Sequence, residues 1–454
     1  MFDHSYDSED PIVALATAWG TSALALIRGS GNGSIERLAS LFSPSAKLSQ
    51  APGGVHVHGV LLDPESSEEL DEVVVLIFRG PASYTGEDGF DITCHGSLPG
   101  IAAILEALKK VGFRDAEPGE FTFRGFLNGK MDLTGAEAVR EIVESKTRKA
   151  HTLALKRLSG SVKKRIDELR ARLIEIAGRI ELVLDYPEDE LDEILEFDSG
   201  LVTPAIEEVE KLLSTFRTGR LFQEGARVAI CGRTNAGKSS LFNLFLREDR
   251  SIVSETHGTT RDYVESWISL KGIPLSLFDT AGLRDGKDEV EVEGIRRATE
   301  LIQAADLAIY LVDAGEGVSD ADREFFEQYG GDLRCIRVWN KADIAREEAP
   351  PGYLPLSTVT GEGFHELENA IADLFLENAY TGGEAIIDSQ RQKECLETAL
   401  DSLNHVKIGL DEKVSLDAVA SDLQGALSAF GEISGEITSA DVLEMIFSQF
   451  CVGK

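Results

Sequence analysis

Gly232-Arg-Thr-Asn-Ala-Gly237-Lys238-Ser239 is the stretch that decides how this chain is read. It fits the pattern Gly-x4-Gly-Lys-[Ser/Thr]. A strand-like run, Arg227–Ile230, precedes it, and the helical run SSLFNLFL follows from Ser239. This is the strand–loop–helix setting that a phosphate-binding loop requires. Its glycines let successive backbone N–H groups turn inward around phosphate oxygens, at the positive end of the following helix. Lys238 brings an ammonium to the β- and γ-phosphates, and the Ser239 hydroxyl is a Mg²⁺ ligand.

Working outward, residues 226–379 alternate strand-like runs with helical ones, the rhythm of a parallel α/β sheet. Asp279-Thr280-Ala281-Gly282 closes the run LSLF; its aspartate can hold Mg²⁺ through water and its glycine N–H can meet the γ-phosphate. Asn340-Lys341-Ala342-Asp343 closes another. The Asp343 carboxylate can accept from guanine N1–H and the 2-amino group, whereas adenine leaves it unpaired. Ser357-Thr358-Val359, after the last strand, would back the base. Four motifs in this order, each at a strand end, indicate a GTP site.

The flanking sequence differs. Residues 11–125 read as α+β, with short apolar runs between turns rich in Gly, Pro and Ser. Ser97–Val111 reads as a helix from Ile101, Ile104, Leu105 and Leu108. Residues 131–220 read almost wholly as helix, and helix returns after Gly383. The simplest account is a helical domain split by an inserted α/β domain. The expected domains are therefore 1–125, 126–220 with 380–454, and 221–379, a multidomain α+β and α/β chain with an inserted Ras-like P-loop domain. Near the end, Thr438-x-x-Asp441 reads as a helix cap, and Leu443, Ile446, Phe447 and Phe450 as that helix's buried face.

Composition narrows the classes further. Of 454 residues, 43% are hydrophobic and 27% charged, which excludes a disordered or collagen-like chain. The net charge of −34 excludes nucleic-acid binding through the global field. Lys146–Arg172, with ten Lys and Arg, is the best local RNA surface; a solvated helix face is the plainer reading. Glu181–Glu196 holds eight acids and no base. The apolar runs are too short to span a bilayer, so no membrane partner is expected. The five cysteines form no Cys-x-x-Cys pair and read as reduced thiols in a cytoplasm. His56 and His58 read as surface or core histidines.

The motif set resembles a known family. Asn235-Ala236-Gly237-Lys238-Ser239-Ser240, Gly258-Thr259-Thr260-Arg-Asp262, Asp279-Thr-Ala-Gly-Leu-Arg284, Asn340-Lys-Ala-Asp343, Phe126-Leu-Asn-Gly-Lys130 and the terminal Cys451-Val-Gly-Lys454 are similar to those of the MnmE (TrmE) family of tRNA-modification GTPases. The resemblance covers essentially the whole chain. In many small GTPases a glutamine after the DxxG glycine orients water. Here Leu283 stands there, so another polar group must act; Asp285, Asp288, Glu289, Glu291 and Glu293 are nearby. The resemblance points to Glu291. No arginine finger is identifiable, and the resemblance implies K⁺ instead, held by Asn235, Ser254, Thr256 and Thr259 when two GTPase domains face each other. The loop they share also carries Glu255, His257 and Gly258, and Thr260 matches the Mg²⁺-binding switch residue.

The resemblance further implies a homodimer that forms a heterotetrameric complex with an FAD-containing partner, MnmG. That complex modifies carbon 5 of the wobble uridine of certain tRNAs, adding a carboxymethylaminomethyl or aminomethyl group. A reduced folate of the 5-formyl- or methylene-tetrahydrofolate type would supply the one-carbon unit. Its binding positions match Arg28, Asp91, Lys130 and Lys454, within a folate-binding-type N-terminal domain that also dimerises. Arg28 and the lysines suit an anionic glutamate tail, and a carboxylate suits pterin donors. Cys451 reads either as a small packed thiol or as a nucleophile toward a pyrimidine carbon. The alternative function is a regulatory switch GTPase for ribosome assembly, without one-carbon chemistry.

Overall fold

The computed structural model describes residues 10–185, 197–247, 265–279, 300–329, 334–345, 347–376 and 385–454. The chain divides into two compact units. One comprises Met1–Arg140, Leu158–Ala171 and Leu427–Lys454; the other comprises Glu141–Arg157 and Arg172–Ala426.

The first unit is built on a seven-stranded sheet: β1 (Ile12–Leu15), β2 (Leu24–Ser30), β3 (Phe42–Ser43), β4 (His56–Leu62), β5 (Glu69–Phe78), β6 (Gly89–His95) and β7 (Arg114–Asp115). Their spatial order is β3-β4-β5-β6-β2-β1-β7. Pairs are antiparallel except β1 with β7, which is parallel. Alternation puts Val73, Val75 and Ile77 of β5 into the core and leaves Val74 exposed. Helices α1 (Ser34–Leu41) and α3 (Leu98–Lys110) cover the inward face through Ile35, Leu38, Ile101, Ile104 and Leu108. The expected Ser97 start holds: its hydroxyl accepts from Gly100 N at 3.2 Å and Pro99 follows in the first turn.

Helix α4 (Glu120–Leu127) carries a charge network that the apolar pattern hides. Arg124 is 1% exposed, and its Nη2 donates to Glu120 Oε1 at 2.8 Å and to the Asp10 carbonyl at 2.8 Å. Arg114 Nη2 donates to the same Glu120 oxygen at 2.6 Å. Burial disfavours the Glu120 charge, but hydrogen bonds from Arg114, Glu117 N and Arg124 outweigh it. The carboxyl is held below its ordinary range. The last helix, Ala440–Phe447, packs Ile446, Phe447 and the following Phe450 against Phe123, Leu133 and Ala136. Its cap is Ser439, whose Oγ accepts from Val442 N at 3.3 Å, one residue beyond the expected Thr438. His56 and His58 are exposed, and His58 Nε2 lies 2.9 Å from Glu72 Oε1.

The second unit holds a six-stranded sheet: β8 (Ala226–Gly232), β9 (Glu265–Leu270), β10 (Ile273–Asp279), β11 (Leu307–Asp313), β12 (Cys335–Asn340) and β13 (Tyr353–Leu356). The order is β13-β12-β11-β8-β10-β9, parallel except for the edge hairpin β9–β10. Nearly continuous apolar strands such as Leu307–Val312 fit a sheet buried on both faces. Helix α8 (Thr203–Glu224) runs straight into β8 through Gly225, whose φ is 83°. It also grips residues 385–388: Thr215 Oγ1 accepts from Ile387 N at 3.1 Å, and a Cβ on Gly219 would lie 2.1 Å from Ile387 O.

The basic block is largely committed to the protein itself. In the last turn of helix α6 (Arg148–Leu158), Arg157, 3% exposed, is paired with Glu141 and with Asp388 Oδ2 at 2.6 Å. Lys163 pairs with Asp167, Arg165 with Glu168 and Arg170 with Glu436. Most of the acidic run after Asp185 lies outside the described residues.

Glu120 gives a pH prediction. Its folded pKa is lowered, so its contribution is present above the ordinary carboxylate value and is lost as pH falls through the folded value. Glu120→Gln should cost about 3 kcal/mol at neutral pH, because Arg124 is left buried with its main partner neutralised. The variant's melting temperature should also fall less than the wild type's between about pH 5 and pH 2. Parallel melting curves across that range would refute the assignment.

Candidate nucleotide and one-carbon sites

β8 ends at Gly232 (φ 135°), and the chain then passes through Asn235 (φ 65°) and Gly237 (φ 100°) before α9 (Lys238–Arg247) begins. The loop sits at the carboxyl edge of the sheet, where β8 has β11 on one side and β10 on the other. This is the switch point at which open α/β sheets bind ligands. Lys238 is 7% exposed, and its ammonium donates to Gly232 O at 3.0 Å and Arg233 O at 2.8 Å. The lysine is thereby stretched back across the loop, over the cradle its N–H groups form. Ala236 is buried, while Ser239 and Ser240 are exposed on the first turn of α9.

Asn340 joins this loop to the base-reading end. It is fully buried; its Nδ2 donates to Ala236 O at 2.7 Å and its Oδ1 accepts from Thr358 N at 3.2 Å. A Cβ on Gly237 would lie 2.1 Å from Asn340 Nδ2, so the close approach needs glycine as much as the positive φ does. Lys341 (φ 65°) donates to Asp313 Oδ2 at 2.6 Å. Burial works against the Asp313 charge, yet Lys341 and the Gly315 N–H hold its pKa below the ordinary range. Ala342 and Asp343 lie in a short 3₁₀ turn, with Asp343 exposed. Ser357 is buried and ties its own loop through Glu362 O and Thr360 N, whereas Val359 is 83% exposed.

Other sequence-derived positions are reached only by backbone or not at all. β10 carries Asp279 to the same sheet edge, paired in register with Ile230 of β8. Thr280, Ala281, Gly282 and Glu291 lie outside the described residues, as do Ser254, Glu255, Thr256, His257, Gly258, Thr259 and Thr260.

In the first unit Arg28 and Asp91 face each other directly across β2 and β6. Arg28 Nε donates to Asp91 Oδ1 at 2.9 Å and Nη2 to Oδ2 at 3.1 Å, a bidentate pair. Burial disfavours the guanidinium charge, but the Asp91 hydrogen bonds and charge prevail and raise its pKa. Lys130 Nζ donates to Pro81 O at 2.8 Å. Arg28 and Lys130 are therefore engaged within the protein and are not two uncommitted partners for an anionic tail. Gly453 is buried against the end of β1, where a Cβ would meet Leu15 O at 3.0 Å; Lys454 is half-buried and Cys451 exposed. Sequence reasoning missed Tyr84. Its hydroxyl lies 2.9 Å from Thr122 Oγ1, and it stands close enough to Arg28 for each to bias the other's charge. No spacing rule links Tyr84 to these partners; only the fold does.

The family described as "MnmE helical domain" matches residues 133–451, and "GTP-binding protein TrmE N-terminus" matches residues 11–130. The chain is 40% identical over 463 residues to the tRNA modification GTPase MnmE of Borrelia recurrentis, covering 99% of both chains. It is 40% identical to that of Treponema denticola over 99% of each. Against that of Carboxydothermus hydrogenoformans it is 38% identical, over 98% of this chain and all of the relative.

Asp343 offers the sharpest test of the base site. Asp343→Asn should weaken GTP binding by roughly 10³-fold or more, because the guanine donors lose their carboxylate. The amide should gain xanthosine triphosphate by donating to the 2-oxo group. Equilibrium titration with both nucleotides decides this, and unchanged GTP affinity would sink the assignment.

Proposed function

This chain belongs to the MnmE family of tRNA modification GTPases, and we propose that it couples a potassium-stimulated GTPase cycle to one-carbon chemistry on the wobble uridine of certain tRNAs. It is a GTP hydrolase involved in tRNA modification, and family membership brings GTP and Mg²⁺ binding with it. In the proposed cycle the product at carbon 5 carries a carboxymethylaminomethyl or aminomethyl group. The reaction is shared with the FAD-containing MnmG, in a heterotetramer built on a homodimer of this chain in the cytoplasm. The domain assignment that goes with it is 1–125 for folate binding and dimerisation, 126–220 with 380–454 as the helical domain, and 221–379 as the GTPase domain.

The nucleotide half rests on chemistry that the described residues can perform. The N–H groups entering α9 suit phosphate oxygens. Lys238 would exchange two backbone carbonyls for the β- and γ-phosphates, so its present hydrogen bonds keep it aimed at the loop. Ser239, with Thr260, would hold Mg²⁺, which neutralises charge developing between the phosphates. Asn235 offers an exposed side-chain oxygen on the loop and suits K⁺, with Ser254, Thr256 and Thr259 as the further ligands. Glu291 would orient the attacking water, since Leu283 cannot.

One observation carries the one-carbon half. Arg28 and Asp91 form a side-by-side donor and acceptor pair on the sheet, and the C-terminal tail lies at the end of the neighbouring strand β1. Such a pair suits a pterin edge, which carries donors and acceptors together, better than it suits an isolated anion. Lys454 is then the residue for the glutamate tail, with Lys130, which donates to Pro81 O, as the further folate-contacting position. Cys451, exposed two residues before Gly453, is the candidate nucleophile. Nucleoside analysis of tRNA from a deletion strain tests the whole reading. Loss of the carbon-5 group, restored by the wild-type chain and not by Arg28→Ala, supports it. Intact tRNA with a ribosome-assembly defect would favour the switch GTPase instead.

The potassium step has its own test. Wild-type turnover should be at least about tenfold faster in KCl than in NaCl at equal ionic strength, since no arginine finger is identifiable in the sequence to supply transition-state charge. Asn235→Ala should erase that preference while nucleotide binding through Lys238 persists. Equal wild-type rates in the two salts would refute the mechanism.

A further inference from the structure

The β9–β10 hairpin connects the two stretches that bear on the γ-phosphate: Gly258–Asp262 precedes β9 in the chain, and β10 ends in the aspartate of Asp279–Gly282. Its turn is Lys271-Gly272, with φ of 50° and 85°, the left-handed pair that suits a tight hairpin. The first turn of α6 is built onto that turn. The Thr147 hydroxyl accepts from Ala150 N at 3.2 Å, capping α6, and donates to Gly272 O at 2.9 Å. Lys146 Nζ lies 3.3 Å from the centre of the Trp267 ring on β9. Lys149 lies so close that a Cβ on Gly272 would meet its Cβ and Cδ at 3.3 Å, and its Nζ is 4.1 Å from the Phe222 ring. Ala150, 1% exposed, shares a core with Phe222, Ile268, Leu270, Ile273 and Leu275.

We propose that Lys146, Thr147 and Lys149 form a clamp that makes α6 move with the β9–β10 hairpin and so carries the nucleotide state into the helical segments. Two contacts of different kinds hold the clamp: a part-buried hydrogen bond fixes direction, and lysines laid over aromatic rings fix distance. Burial presses the Lys146 and Lys149 pKa values down, while Glu265, Glu144 and Glu224 pull that of Lys146 back toward charge. A paired hairpin transmits displacement because its strands hydrogen-bond along their whole length, from Glu265–Phe278 at one end to Leu270–Ile273 at the other. At the far end of α6, Arg157 holds Glu141 and Asp388. A shift taken up at Thr147 therefore arrives at the residues where the chain re-enters the helical segments. All three clamp residues are positioning residues, since none touches nucleotide.

Amide hydrogen exchange on the full chain, with GDP and then with a non-hydrolysable GTP analogue, tests the clamp. In the wild type, exchange should differ between the two nucleotides both in 265–279 and in 148–158. Thr147→Asp keeps a helix cap but cannot donate to Gly272 O. In this variant the nucleotide-dependent difference should persist in the hairpin and shrink about fivefold or more in α6. Should the buried charge prevent folding, Thr147→Val with Lys146→Met serves, folding being checked by melting. A purely structural cap would alter α6 exchange equally with both nucleotides and leave the difference intact. That outcome, or an α6 insensitive to nucleotide in the wild type, overturns the proposal.

Discussion

The contact on which the nucleotide site depends is the buried Asn340 amide. It donates to the carbonyl of Ala236 and accepts from the N–H of Thr358, so one side chain ties the phosphate loop to the base-backing loop. The register of the sheet makes this possible. Gly232 pairs with Leu311, Asp313 with Asn340, and Asn340 with Leu356, which brings the ends of β8, β11, β12 and β13 to one edge. A buried amide without partners is costly, so the two loops are held in a relation that satisfies it. Gly237 completes the constraint by allowing the amide to approach where a methyl group would collide.

The nucleotide site was legible because its chemistry is local. Phosphate binding needs backbone N–H groups at fixed spacing, and fixed spacing is what a sequence displays. The alternation of strands and helices from β8 onward and the helix capped by Ser97 follow equally from period and capping. What sequence could not display was pairing between distant residues. Arg124 sits in an apolar helical run, yet its partners Glu87 and Asp10 come from elsewhere in the unit. Arg28 and Asp91 were both singled out, but as separate contacts to a ligand. Only the β2–β6 register reveals that they neutralise each other. The cap of the last helix was misplaced by one residue because Thr438 and Ser439 are both cap types; the structure takes Ser439, the stronger of the two.

The same distinction governs the basic block. On a helical wheel its lysines and arginines read as a solvated face or a surface for RNA. In the fold Lys146 and Lys149 lie over aromatic rings, Arg157 is buried between two carboxylates, and Lys163, Arg165 and Arg170 pair with acids. Arg124, Lys238 and Lys341 are likewise turned toward protein carboxylates or carbonyls.

In a chain of net charge −34 this placement has a consequence for tRNA. Cations paired with neighbouring acids, whether buried like Arg157 or exposed like Lys163 and Arg165, are neutralised locally and contribute little to the field outside. A polyanion approaching such a surface is repelled, and salt confines that repulsion to within a Debye length, about 8 Å at physiological salt. Recognition must then be short-ranged, through hydrogen bonds and stacking at a defined site, and screening by salt should assist the approach before it weakens the contacts. A tRNA-modifying enzyme with this composition gains little from electrostatic steering. Its selectivity has to come from the geometry of the docked complex, which is where a nucleotide-driven movement of the helical segments would act.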